Sequence, residues 1–151
     1  MAKLQDIIQW CDQTLKSTEF KDYAPNGLQI EGKTEVRKIL AAVTASQDAI
    51  DAAIRENADL LLVHHGYFWK GEAYPITGMR GKRIKSLIQH DISLLAYHLP
   101  LDSHPSLGNN AAIADLLKLE RIEALDPSER HPIGNIGYLK QPMPVEEFKT
   151  F

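Results

Sequence analysis

A single cysteine, Cys11, is all the thiol these 151 residues carry. No internal disulfide can form, so the fold must hold without covalent cross-links, as a reducing compartment requires. Cys11 sits among apolar residues at helical spacing, which is the setting of a buried, inert thiol. Long apolar runs are equally scarce. Stretches such as residues 60–63 are far short of the roughly 20 residues that cross a bilayer. The opening Met1-Ala2-Lys3-Leu4-Gln5-Asp6 lacks the basic region and apolar run of a secretory signal. Positive charge is also in short supply. Seventeen Lys and Arg against 20 Asp and Glu give a net charge of −3, which argues against a general nucleic-acid footprint. No Gly-x-x-x-x-Gly-Lys loop is present to cradle a phosphate. With 44% hydrophobic and 25% charged residues, the remaining reading is a soluble, cytoplasmic globular protein.

One basic cluster stands out, Arg80-Gly81-Lys82-Arg83-Ile84-Lys85. A solvated helix face accounts for it. The sharper alternative is a phosphate contact for a nucleotide, made by Arg83 or Lys85.

Apolar periodicity organises the chain. Leu4, Ile7, Ile8, Cys11 and Leu15 fall on one face of a helix. That helix ends before Tyr23-Ala24-Pro25-Asn26-Gly27, which joins a proline to an Asn-Gly turn signal. Leu28-Gln29-Ile30 alternates as a short strand. Apolar runs at 38–43, 60–63 and 92–96 have strand length and read as buried on both faces. Helices separate them: one capped by Ser46 and carrying Ile50, Ala53 and Ile54, and one basic, carrying Ile84, Leu87 and Ile88. Asn109 or Asn110 can cap a further helix with Ile113, Leu116 and Leu117 on its inner side. Strands alternating with helices predict an α/β fold, a layered mixed or parallel sheet with helices on both faces. Residues 125–132 read as a connector, Gly134-Asn135-Ile136-Gly137-Tyr138-Leu139 as a new strand, and Pro144-Val145-Glu146-Glu147-Phe148 as a helix beginning. The division expected is a first α/β domain over 1–125 and the start of a second, cut short, over 126–151.

In a parallel α/β sheet, sites form beyond the carboxyl ends of the strands. Two segments put polar residues there: Val63-His64-His65-Gly66 and Tyr97-His98-Leu99-Pro100-Leu101-Asp102. If their strands are neighbours, His64, His65, His98 and Asp102 meet in one crevice. Imidazole and carboxylate are the donors that zinc, iron, manganese and nickel accept. Successive histidines on a regular strand point to opposite faces. They can share one centre where the strand ends and Gly66 lets the backbone turn, or each can hold a different ion of a two-metal pair. Plainer readings exist. Paired histidines are most often surface or core residues. Asp102 can cap the following turn, and His98 can be a hydrogen-bonding partner of a ligand. His90 falls at a helix end and reads as structural. His104 and His131 each precede a proline and show no partner in the sequence.

Taken together, Asp22-Tyr23-Ala24-Pro25-Asn26-Gly27-Leu28-Gln29, Val43-Thr44-Ala45-Ser46, Val63-His64-His65-Gly66, His98-Leu99-Pro100-Leu101-Asp102 with Gly108-Asn109-Asn110, and Gly134-Asn135-Ile136-Gly137 resemble, in order, the motifs of one family. It is the NIF-three-like dinuclear metal proteins, also called GTP cyclohydrolase 1 type 2 homologues. The resemblance implies two similar α/β domains flanking a centre of two divalent metal ions, and a toroidal homohexamer. His64, His65 and Asp102 match the family's N-terminal metal ligands. The other ligands it implies, a His and a Glu one helical turn apart near the C-terminus, have no counterpart here.

The function expected is a metal-dependent hydrolase acting on a nucleotide or related small molecule, with His98 as the catalytic group that orients the nucleophile or transfers a proton. The competing reading is a non-enzymatic hexameric scaffold or regulatory metal-binding protein.

Overall fold

The computed structural model describes residues 1–150. Contacts divide the chain into two compact units, Met1–His98 and the residues from Leu99 onward.

The first unit is built on a four-stranded sheet made of β2 (Gly27–Ile30), β4 (Ile39–Thr44), β5 (Leu60–His65) and β6 (Ser93–Ala96). The spatial order is β2-β6-β5-β4. β4, β5 and β6 run parallel, and β2 joins the edge of β6 antiparallel, so the sheet is mixed. A minor ladder pairs β1 (Ala2–Lys3) with β3 (Glu35–Val36). The central strands match the expectation of burial on both faces: Leu60, Leu61, Leu94 and Leu95 are fully buried. β4 does not. Val43 is 68% exposed and Ile39 47%. Its apolar sequence was no guide to its place, because an edge strand has a neighbour on one side only.

Helices cover both faces. α1 (Leu4–Leu15) buries Leu4, Ile8 and Cys11 along one stripe and stops at Lys16, whose backbone is left-handed with φ 52°. α2 (Gln47–Arg55) starts where expected: the Ser46 hydroxyl accepts a 3.2 Å bond from the Ala49 N–H, satisfying one of the orphan donors of the first turn. α3 (Gly78–Gln89) buries Ile84 and Leu87. Ile88 of the same helix is exposed; one residue past Leu87, it lies about 100° round the helix, off the buried stripe. Ile50, Ala53, Ile84 and Leu87 pack with Leu61, Val63, Leu94 and Ala96 in the principal core. Leu60 and Leu95 alternate to the opposite face, and there Tyr97 Oη donates to Asp12 of α1 at 3.0 Å.

At the amino end of β4 and β5, Asp59 closes the sheet. Its carboxylate accepts from Lys33 Nζ (2.8 Å) and from the N–H groups of Arg37 (2.9 Å) and Lys38 (3.2 Å). These bonds hold the carboxyl down at about 2, well below its ordinary range.

The second unit holds α4 (Leu99–Asp102), α5 (Asn109–Leu116), β7 (Glu120–Ala124), β8 (Asn135–Tyr138) and α6 (Val145–Phe148). The cap of α5 is Gly108, not Asn109 or Asn110, and it makes no side-chain capping bond. Both asparagines are engaged elsewhere: Asn109 Nδ2 donates to Asp102 Oδ1 and Asn110 Nδ2 to the carbonyl of Ile133. Ile113 and Leu116, expected to face inward, are 53% and 77% exposed, and Ala114 is the buried residue. β7 carries Glu-Arg-Ile-Glu-Ala, which has no apolar run to announce a strand. It forms by antiparallel pairing with β8, the strand expected at 134–139, and Arg121 lies 4.3 Å over the Tyr138 ring.

Among the described residues no helix is long and apolar enough to cross a membrane.

Candidate metal centre

Strand register assembles the site. β5 and β6 run parallel with Val63 opposite Ala96, so the residues after each, His64 and Tyr97, emerge side by side, and His98 follows. On the other flank Thr44 is opposite His65. On the far side of β6, Gly27 is opposite Ala96, which brings Asn26 and its neighbours to the same end of the sheet. Four chain segments far apart in sequence therefore converge at the carboxyl ends of the parallel strands.

The result is a cluster of three imidazoles. Ring centroids lie 4.4 Å apart for His64 and His65, 5.0 Å for His64 and His98, and 5.8 Å for His65 and His98. One ring nitrogen from each lies within 4.8 Å of the other two. Both histidines of the pair occupy the last two positions of β5, so the strand is ending where they stand, and their rings tilt together instead of parting to opposite faces.

Gly66 matters for space rather than for an unusual backbone angle. It is not among the glycines with positive φ. A Cβ at this position would meet the Gln29 side-chain amide and would come within 2.7 Å of Ala96 Cβ. The Gln29 amide has fixed duties, accepting from Tyr67 N–H at 2.7 Å and donating to the Pro25 carbonyl at 2.9 Å. The expectation that Gly66 serves a turn by its conformational freedom is corrected accordingly.

Each ring is held through Nδ1. His64 Nδ1 is 2.9 Å from the carbonyl oxygen of Tyr97. A carbonyl only accepts, so Nδ1 carries the proton and the lone pair of the neutral ring is on Nε2. His65 Nδ1 is 3.1 Å from Thr44 Oγ1. His98 Nδ1 is 2.9 Å from Asp22 Oδ1, and both side chains are buried, 9% and 3% exposed. Asn26 braces this pair: its Nδ2 donates to Asp22 Oδ2 at 3.0 Å and its Oδ1 accepts from the His98 backbone N–H at 2.7 Å.

An aromatic wall adjoins the imidazoles. Trp69 and Tyr23 meet the His98 ring edge-on at 4.9 and 5.0 Å, and Trp69 lies 5.9 Å from His65. The wall is tied down, with Trp69 Nε1 donating to the Gly66 carbonyl at 3.1 Å. Such rings give the imidazole donors a less polar surround on that side.

The expected donors are thus distributed as follows. His64, His65 and His98 come together. Asp102 lies in the second unit at the end of α4, where its Oδ1 accepts from Asn109. Arg80 of the basic cluster binds Glu72 Oε2 and the carbonyl of Pro75, bracing the loop before α3. His90 bonds the Ser86 carbonyl at the end of α3, a structural part as expected. His104, expected to lack a partner, accepts through Nδ1 from the N–H groups of Ser106 and Leu107. Asp22, Asn26, Thr44 and Gln29 were given no role from the sequence. The only signal for them was their place in segments that match a family pattern.

Three imidazoles gathered this closely are a donor set that zinc-like ions accept, and each ring is oriented by a hydrogen-bond partner behind its Nδ1. Fold and site together define an α/β protein with a histidine cluster able to hold a metal ion. The chain belongs to the Duf34/NIF3 (NGG1p interacting factor 3) family, which matches residues 2–151. It is 54% identical over 144 residues to the GTP cyclohydrolase 1 type 2 homolog of Haemophilus influenzae, covering 95% of this chain and 57% of that protein. It is 48% identical over 149 residues to the protein of the same description from Escherichia coli K12, covering 99% and 58%. Among solved structures, one described as "protein ybgI, unknown function" matches with a TM-score of 0.91 at 46% identity, over 99% of this chain and 58% of that one. Reduced HcgD from Methanocaldococcus jannaschii matches with a TM-score of 0.77 at 28% identity, over 90% and 54%. The chain therefore spans somewhat more than half the length of these relatives.

Proposed function

We propose that this protein contributes His64, His65 and Asp102 to a centre of two divalent metal ions, and that the assembled protein is a hydrolase acting on a nucleotide or related small molecule. The observation that carries the reading is the convergence of three imidazole nitrogens within 4.8 Å at the carboxyl ends of β5 and β6. A divalent ion bound there supplies Lewis acidity and lowers the pKa of water. His64 and His65 bind through Nε2, each with Nδ1 engaged behind it. Asp102 adds the carboxylate that a hard divalent ion favours. His98, with Nδ1 engaged by Asp22, accepts or returns a proton at Nε2 whenever that nitrogen is not on a metal. Trp69 and Tyr23 limit the water that reaches these groups. The remaining donors come from outside this sequence or from another subunit, in a cytoplasmic homohexamer. The name shared by the bacterial relatives makes GTP the first substrate to try.

Calorimetric titration with Zn²⁺, Mn²⁺, Ni²⁺ and Fe²⁺ tests the centre. Tight binding that His64→Ala and Asp102→Ala each weaken at least tenfold supports it, and binding to none of the four ions refutes it. Metal-loaded protein that leaves both GTP and simple phosphoesters intact, while keeping its assembly, would remove the hydrolase and leave a metal-binding scaffold.

A further inference from the structure

We infer that Asp22 is a positioning residue for the centre: it fixes the His98 ring with its proton on Nδ1 and its lone pair on Nε2, making His98 a third nitrogen donor to the cluster. The inference rests on the reading of His64 and His65 as metal-holding residues, but its geometry stands without any ion.

A carboxylate accepts hydrogen bonds and donates none when ionised. At 2.9 Å from His98 Nδ1, Asp22 Oδ1 therefore accepts a hydrogen bond from Nδ1–H. An unconstrained neutral imidazole prefers its proton on Nε2, so the arrangement selects the less common tautomer. The selection is strong because neither partner is loose. Asp22 Oδ1 also accepts from the Ala24 N–H at 3.1 Å, and its Oδ2 accepts from Asn26 Nδ2 at 3.0 Å. The Asn26 amide cannot rotate without losing the bond its oxygen takes from the His98 N–H at 2.7 Å. Asp22, Asn26 and His98 close a ring of hydrogen bonds that fixes the imidazole at its backbone and at Nδ1 together.

The consequence lies next door. His64 also carries its proton on Nδ1, against the Tyr97 carbonyl. Two adjacent rings, 5.0 Å apart, then both offer a lone pair from Nε2. Lone pairs facing a shared space are satisfied by a cation or by proton donors and repel one another otherwise. An Nε2–H tautomer at His98 would turn that nitrogen into a donor with nothing to give a metal. Asp22 thus decides whether His98 adds a nitrogen lone pair to the one His64 presents.

The test is long-range ¹H–¹⁵N correlation spectroscopy on metal-free, ¹⁵N-labelled protein, at a pH where imidazole is neutral, with His98 assigned against His98→Gln. The wild type should show His98 as the Nδ1–H tautomer, and Asp22→Ala should move it to Nε2–H while His64 keeps its form. Zn²⁺ affinity should fall about 10- to 100-fold in Asp22→Ala, the range found for groups that orient a metal-binding histidine. Asp22→Glu should recover part of that loss. Wild-type His98 protonated on Nε2 would overturn the inference, and that result needs no variant to fold. An unchanged tautomer and unchanged affinity in folded Asp22→Ala would overturn it as well. The proposed metal centre fails by a separate sign, the absence of Zn²⁺ binding to the wild type, which leaves the tautomer measurement valid.

Discussion

Tyr67 Oη donates a 2.6 Å hydrogen bond to the carbonyl oxygen of Ala45 in the interior of the first unit. That bond ties the segment leaving β5 to the segment leaving β4, just past His65 on one side and just past Thr44 on the other. Removing the hydroxyl leaves a buried carbonyl without this partner. Tyr67→Phe should cost about 1–2 kcal/mol in urea unfolding.

The same hydroxyl predicts a limit at high pH. Burial pushes its pKa from 10.0 to about 12, with Arg83 nearby pulling the other way. The folded state holds the proton more tightly than the unfolded chain. The stability this provides is complete below pH 10 and is lost as the pH climbs from 10 toward 12. Burial also raises Tyr97, adding loss in the same direction. Unfolding free energies measured across that range should fall, and less steeply in Tyr67→Phe. An equal slope in the variant would exclude Tyr67 as a source.

Asp59 acts at the opposite end of the pH scale. The Lys33 ammonium and the backbone N–H of Arg37 lower its pKa from 3.8 to about 2. A depressed carboxyl stabilises the fold above its unfolded pKa, and the gain disappears as pH falls from 3.8 toward 2. Asp59→Asn should lose about 1–3 kcal/mol at neutral pH, since three donors lose a charged acceptor, and should show a flatter acid limb. Urea titrations at neutral and acid pH check both.

Gly66→Ala should destabilise the protein by about 1–3 kcal/mol through overpacking. The new methyl has nowhere to go: Ala96 belongs to a buried strand, and the Gln29 amide is held by two backbone groups. Because the strain falls beside His65, Zn²⁺ affinity should drop with the melting temperature. A fully stable Gly66→Ala would show that Gln29 moves aside freely.

Metal addition offers a further check on the proposed centre. A ligand that binds only the folded state, at 100 times its Kd, stabilises by about 2.7 kcal/mol. Zn²⁺ should raise the melting point of chelator-treated wild type, and the rise should vanish in the His64→Ala, His65→Ala double variant. An equal rise in both would place the ion elsewhere.

Much of the fold was readable because its cues are local. The stripe of Leu4, Ile8 and Cys11, the Ser46 cap and the paired histidines after 60–63 each lie within a few residues of what they specify. The sequence read less well where local signals compete with position. The run at 38–43 carries the same apolar residues as the buried strands yet lies at the edge. Glu-Arg-Ile-Glu-Ala becomes β7 only because β8 pairs with it. The inner side assigned to α5 followed residue type, and burial fell to Ala114.

The sequence alone determined which residues could bear the chemistry and where most helices and the central strands would fall, since periodicity, caps and side-chain type belong to the chain itself. Tertiary structure decided the partnerships. Asp22 and His98 are 76 residues apart, and no local rule joins them. They meet because β2 pairs antiparallel with β6 in the register that sets Gly27 opposite Ala96, while β5 pairs parallel with β6 and brings His64 to the same end. Register follows from how two strands bury their faces together, and neither strand carries that information by itself.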